Sequence, residues 1–224
     1  MYKRNPLAVG EIYHVFNKSI AGFKIFNTES DYLRIIATIR YYQVTGYSLS
    51  FSDFLRLKKT EGNDINECLD DYLKDKEDKA VDILAYWIMP THIHLILKQL
   101  KEKGISLFMS NILNSCSRYF NTKHKRKGPL WEGRFKNVLV ETDEQLLHLT
   151  RYIYLNPVTA YLVDRPADWA ASSYKEYLLE KETNDRICNY EPVLKVVPGH
   201  YKKFVEDMIS YQRDLAKIKS QILE

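Results

Sequence analysis

The sequence predicts an α+β domain of the ferredoxin-like, or split βαβ, kind: an antiparallel sheet with helices on one face, followed by a helical C-terminal tail. Three observations carry that expectation. The periodic segments run strand, helix, strand, strand, helix, strand and then a further helix, the order of that arrangement. Two apolar runs, Val81 to Met89 and His92 to Lys98, are parted only by Pro90-Thr91, a connection so short that the strands pair antiparallel. At 224 residues and 45% hydrophobic, the chain can build one substantial core but not two ordinary domains with linkers.

The first strand is Glu11 to Asn17, which alternates and is rich in aromatic and β-branched residues. Leu33, Ile36, Ala37 and Ile39 to Tyr41 form a helical stripe, with Thr28 or Ser30 as a cap ahead of Asp31, and Gly46 ends the region. Residues 47–80 read as an insertion, with one short helical piece at Phe51, Phe54, Leu55 and Leu57 and another around Leu69, Tyr72 and Leu73. Ile105 to Asn121 carries apolar residues at helical spacing, a basic loop with Gly128-Pro129 follows, and Phe135 to Val140 reads as the fourth strand. Thr142-Asp143-Glu144-Gln145 is a capping-box pattern opening a helix that Pro157 is expected to stop near Asn156. The domain is thus expected over residues 1–178 and the tail over 179–224. In the tail, Phe204, Met208, Tyr211, Leu215, Ile218 and Ile222 follow at intervals of 4, 3, 4, 3 and 4, a helix with one apolar seam. Docking on its own domain is the ordinary reading, and a partner or homodimer contact is the alternative.

Cys68, Cys116 and Cys188 are far apart and odd in number, so neither a disulfide framework nor a Cys-x-x-Cys metal site is indicated. A reducing cytoplasm fits that usage. The longest apolar run, Ile83 to Met89, is far short of a membrane span, and no export or membrane partner is expected. The net charge of +4 hides an asymmetry. Glu61 to Asp82 carries −6, whereas Arg118 to Lys136 carries +6 and points to a polyanionic partner, against the ordinary reading of a solvated loop.

His92 and His94 are two apart on a strand and project from one face, where two imidazoles can ligate one divalent metal; bonding to a neighbouring helix or to water is the other reading. On the helix after the fourth strand, His148, Tyr152 and Asn156 lie at i, i+4 and i+8 on one face. Tyr152 can present its hydroxyl beside such a metal, and Asn156 can supply an oxygen ligand from the helix end. Among 17 tyrosines, amphipathic filler is the competing reading, and Tyr154 is read as packing.

These residues resemble the HUH single-tyrosine transposases, most closely the REP-associated tyrosine transposases and their domesticated relatives. The similarity covers residues 8–178 and rests on Tyr13-His-Val-Phe-Asn17, Ala85-Tyr-Trp-Ile-Met-Pro-Thr-His-Ile-His94, Gly128-Pro-Leu-Trp-Glu-Gly-Arg-Phe-Lys136, Arg151-Tyr-Ile-Tyr-Leu-Asn-Pro-Val158 and Trp169-Ala-Ala-Ser-Ser-Tyr174. The resemblance implies that His92 and His94 hold Mg²⁺ or Mn²⁺, that Tyr152 is the nucleophile and that Asn156 takes the third-ligand position. Asn rather than Gln at 156 fits the REP-associated branch. The implied activity is metal-dependent nicking and strand transfer on single-stranded DNA through a 5′-phosphotyrosine, as in transposition. The implied partner is a single-stranded hairpin from a repetitive palindromic element.

Lys123, Lys125, Arg126, Lys127, Arg134 and Lys136 are the expected phosphate contacts. Trp131 or Phe135 could stack on an extruded base, burial beside a strand being the alternative. His148, Lys98 and metal-bound water are the candidates to take the tyrosine proton. The rivals are a domesticated, non-cleaving hairpin-binding or regulatory protein and an RNA-binding ferredoxin-like domain. The second needs several exposed strand aromatics, of which Phe135 to Val140 supplies one.

Overall fold

The computed structural model describes residues 6–60, 65–74, 76, 78–180, 186–195 and 200–222. Among them, β1 (Ile12–Lys18), β2 (Val81–Met89), β3 (His92–Gln99) and β4 (Lys136–Val140) form one sheet in the order β2-β3-β1-β4, antiparallel throughout. Between them run α1 (Glu29–Tyr42), the insertion helices α2 (Phe51–Thr60) and α3 (Ile65–Lys74), α4 (Gly104–Lys123) and α5 (Asp143–Thr159). This is the α+β, ferredoxin-like arrangement expected from the element order.

One face of the sheet carries Tyr13, Val15, Ile93, Leu95 and Leu97, all buried in one core with Ile35 and Ile39 of α1 and Phe108 and Ile112 of α4. Each such side chain contributes about 1.5–3 kcal/mol of burial. The expectation of helices on one face describes α1 and α4. On the opposite face α5 places Leu146, Leu147 and Ile153 against Trp87, Ile96 and Val140, and the tail packs there as well. A register shift between Ile83 and Ala85 lets Leu84 and Ala85 both serve this second core. The histidine strand therefore has a layer on each side.

Local chemistry fixes the helix starts. Thr28 caps α1: its hydroxyl accepts from Asp31 N at 3.3 Å while the Asp31 carboxylate accepts from Thr28 N at 3.1 Å. At α5, Thr142 Oγ1 accepts from Gln145 N at 3.0 Å, and the Gln145 side chain reaches Glu141 N, one residue before the expected partner. Gly104 opens α4 against the Ala80 carbonyl so closely that a Cβ would lie 2.3 Å from that oxygen. The insertion shares the first core rather than forming a separate unit, since Tyr41 stacks on Tyr72 at 4.9 Å and Phe51, Phe54 and Leu69 are buried.

Two expectations are corrected. Pro157 does not stop α5, which continues to Thr159. The proline forfeits one hydrogen bond in the last turn of the helix, where Asn156 O still accepts from Ala160 N at 2.9 Å. After α6 (Tyr174–Tyr177), the tail helix is also not continuous: α7 (Glu191–Leu194) is followed by α8 (Tyr201–Glu206) and α9 (Ile209–Ile222), with the break at Asp207 and Met208. Tyr211 and Ile218 of the expected seam are 55% and 49% exposed. Docking uses Tyr201, whose hydroxyl donates to Thr150 Oγ1 at 2.8 Å, and Arg213, which donates to Val158 O at 3.3 Å. The side chain of Ile222, and Glu61, Asp64, Asp75 and Glu77 of the acidic stretch, lie outside the described residues. Among the described residues no helix is long and apolar enough to cross a membrane.

Candidate active site

The side chains of His92 and His94 share a face because the pleat alternates, and antiparallel pairing sets their neighbours. His92 pairs with Lys18 of β1 and Met89 of β2; His94 pairs with Phe16 and Trp87. Around His94 the rings close in: Phe16 stacks at 5.4 Å and 9°, and Trp87 lies at 4.9 Å. The two imidazoles are 5.2 Å apart between centroids.

Both Nδ1 atoms are occupied. His92 Nδ1 is 2.8 Å from Thr91 Oγ1, and His94 Nδ1 is 2.8 Å from His14 Nε2. That leaves each Nε2 as the atom able to face an ion, provided the ring proton sits on Nδ1. Burial pushes the His92 imidazole down to about 4, with Lys18 adding to the effect. Burial also holds His94 well below its ordinary value, with lesser effects from His14 and His92. Neutral imidazole is the form that ligates metal, so the donor set fits a divalent cation. Among the described residues no group of three or more His, Cys, Asp or Glu side chains is arranged to hold a metal.

A cavity of about 420 Å³ opens at this pair, lined by His92, His94, Phe16, Asn17, Lys18, Glu132, Gly133, Arg134 and Lys136. The segment before β4 reaches the histidines because it continues the pairing past the end of β1. Ile20 N donates to Leu130 O at 2.9 Å, Glu132 N to Lys18 O at 3.0 Å and Asn17 Nδ2 to Gly133 O at 3.1 Å. The cavity is cationic on one rim, the form that suits a phosphate diester.

Tyr152 and Asn156 do not line this cavity. Tyr152 is 48% exposed on α5, and its hydroxyl makes no hydrogen bond among the described residues. Asn156 is half-buried on the same helix flank. Tyr154 is packing, as expected: it is buried, with its hydroxyl 2.7 Å from Ser173 Oγ.

The other expected residues divide. Lys125, Lys127, Arg134 and Lys136 are exposed. Lys123 is bound to Asp31 of α1 at 2.6 Å, tying α4 to α1, and Arg126 donates to Asn121 Oδ1 at 3.1 Å and Pro129 O at 2.8 Å, which builds the loop. Trp131 is corrected as a stacking platform: it is 8% exposed, and its indole N–H donates to Leu113 O at 3.1 Å. Phe135 is buried as well. Lys98 lies on the histidine strand four residues beyond His94, roughly 13 Å along it. His148 Nδ1 accepts from Arg151 at 2.7 Å and its ring leans on Phe204, so that nitrogen is already engaged. Sequence reasoning missed His14, Lys18, Phe16 and Trp87 as site neighbours. Their alternation on β1 and β2 was readable, but the register that brings them beside the pair was not.

Residues 56–156 match the family model described as "Transposase IS200 like". A REP-associated tyrosine transposase of Haemophilus influenzae is 30% identical over 121 residues, covering 49% of this chain and 68% of that protein. One from Escherichia coli K12 is 28% identical over 102 residues, covering 46% of this chain and 59% of that protein. A solved REP-associated tyrosine transposase bound to a REP hairpin superimposes with a TM-score of 0.50 at 16% identity, over 85% of this chain and 93% of that one, which is a likeness of fold. With the five sequence blocks, the strand histidines and these relatives in agreement, the chain belongs to the REP-associated tyrosine transposase family.

Proposed function

We propose that the protein is a metal-dependent single-strand DNA nickase and strand-transferase acting on hairpins of repetitive palindromic DNA. The observation that supports this best is the pair of neutral imidazoles, each with Nδ1 engaged so that Nε2 is the atom left to face an ion when the ring proton sits on Nδ1, beside a cavity rimmed by Lys18, Arg134 and Lys136. His92 and His94, with Asn156 as the third donor, would hold Mg²⁺ or Mn²⁺, which supplies charge neutralisation at the scissile phosphate.

Tyr152 is the nucleophile of this reading. Its oxygen gives up the phenol proton and forms a bond to phosphorus as the phosphorus–O3′ bond breaks, and the departing 3′-oxygen takes up a proton, so no net proton is gained or lost. The product is a 5′-phosphotyrosine and a free 3′-hydroxyl. A second 3′-hydroxyl can then displace the tyrosine, so one phosphoester bond is exchanged for another and no nucleotide energy source is needed. Lys18, Arg134 and Lys136 hold the phosphodiester, while Lys125 and Lys127 meet the backbone of the hairpin farther out.

The position of Tyr152 outside the cavity wall favours one second reading, a hairpin-binding protein that does not cut. Cleavage of an end-labelled single-stranded hairpin with flanking sequence separates the two. The nickase reading predicts a product with an extendable 3′-hydroxyl that requires Mn²⁺ or Mg²⁺ and is lost in His92→Ala and His94→Ala. Salt-sensitive binding without any cleavage would instead establish the binding protein.

A further inference from the structure

We infer that His14 is a positioning residue for the metal site: through its hydrogen bond it fixes both the ring orientation and the proton location of His94. The inference rests on the metal reading above, and deepens it.

His14 lies on β1, directly opposite Ile96 and Val138, with its side chain on the same face as His92 and His94. Its ring lies 5.0 Å between centroids and 24° between planes from that of its diagonal neighbour, His94. Nε2 of His14 and Nδ1 of His94 are 2.8 Å apart. Phe16 stacks on the same ring, at 5.4 Å. His94 therefore sits between a hydrogen-bonded imidazole and two aromatic rings, with little freedom to turn about its side-chain bonds.

The bond has two possible polarities, and they have opposite consequences. If His14 Nε2–H donates, His94 Nδ1 carries the lone pair, its proton is on Nε2, and the atom available to an ion is blocked. If His94 Nδ1–H donates, His14 Nε2 accepts and the lone pair of His94 is on Nε2. The second polarity places the His94 lone pair on the same ring atom as in His92, whose Nδ1–H can donate to Thr91 Oγ1 at 2.8 Å. His14 and Thr91 are thus equivalent devices, one for each imidazole, acting through atoms that do not themselves reach the ion. His14 cannot serve as a third ligand through Nε2 while that atom accepts from His94.

The test uses the full chain, free of metal, and then Mn²⁺ alone. Long-range nitrogen–proton NMR of the imidazoles reads the tautomers, and isothermal titration reads Mn²⁺ affinity. His94 in the unsubstituted protein is expected as the Nδ1–H tautomer. His14→Leu is expected to release it toward Nε2–H and to weaken Mn²⁺ binding by about 10- to 100-fold. His14→Gln retains an acceptor oxygen and is expected to restore both readouts to within a few-fold. Thermal melting of each variant identifies simple misfolding. An Nε2–H His94 in the unsubstituted protein overturns the inference, as does a His14→Leu variant with unchanged tautomer and affinity. A His14→Gln variant that folds but loses as much affinity as His14→Leu also overturns it. Failure of the underlying metal reading looks different: Mn²⁺ affinity would then be indifferent to His92→Ala, whatever the tautomer of His94.

Discussion

Asp31 Oδ1 and Lys123 Nζ lie 2.6 Å apart, joining the first turn of α1 to the last turn of α4. The same carboxylate accepts from Asn27 N and Thr28 N, both at 3.1 Å, and from Tyr119 OH at 3.2 Å. Burial alone would raise its pKa. The bonds from Lys123, Asn27 and Thr28 outweigh burial and lower it from 3.8 to about 2. A depressed carboxylate stabilises the fold above its unfolded pKa, and that stability is lost as pH falls from about 4 through about 2. Asp31→Asn should therefore cost about 2 kcal/mol in urea unfolding at pH 7, and the gap to the parent should narrow toward pH 2. A gap independent of pH would contradict this assignment.

Gly104→Ala tests the close approach of α4 to the sheet. The added methyl would lie 2.3 Å from Ala80 O, a backbone atom that also accepts from Leu100 N at 3.1 Å. Because neither backbone can yield alone, a loss of about 1–3 kcal/mol is expected by chemical denaturation. An unchanged midpoint would mean that the helix start is free to shift.

Trp131 and the cations beside it should separate stability from binding. Trp131→Ala opens the core and should cost about 3–5 kcal/mol. Arg134→Gln with Lys136→Gln should leave the melting temperature within a degree or two, but lower the slope of log affinity against log salt by roughly 1–2 for a DNA hairpin. The reverse pattern would put Trp131 back on the DNA surface.

The tail offers a paired comparison. Tyr201→Phe leaves Thr150 Oγ1 without the partner that donates to it at 2.8 Å, and should cost about 1–2 kcal/mol. Tyr211→Ala, at an exposed position, should stay within about 0.5 kcal/mol. Equal losses would restore the seam that the apolar spacing suggested.

The fold was legible because local signals and topology agreed. The Thr28 cap, the Pro90-Thr91 connection and the alternation of His92 to Lys98 each name an element, and their order leaves few ways to assemble a sheet. What remained illegible was mostly register and burial. Nothing in Trp131 by itself says that its indole meets Leu113 O, and nothing in His14 announces a partner 80 positions along the chain. Pro157 misled for a different reason: a proline near a helix end removes one bond that the last turn can spare. The 4-3 spacing in the tail misled because Asp207 and Met208 break the helix, and the docked side carries Tyr201, Val205 and Arg213 rather than Tyr211 and Ile218.

Tyr152 and Tyr154 stand two positions apart on α5 but on opposite sides of the core boundary, which makes them the pair that tests the nucleophile. The deciding measurement is a denaturing gel of protein incubated with labelled single-stranded hairpin DNA and Mn²⁺. Tyr152→Phe should fold normally and lose the covalent adduct entirely, whereas Tyr154→Phe should lose stability and still form it. An adduct that persists in Tyr152→Phe would contradict the account.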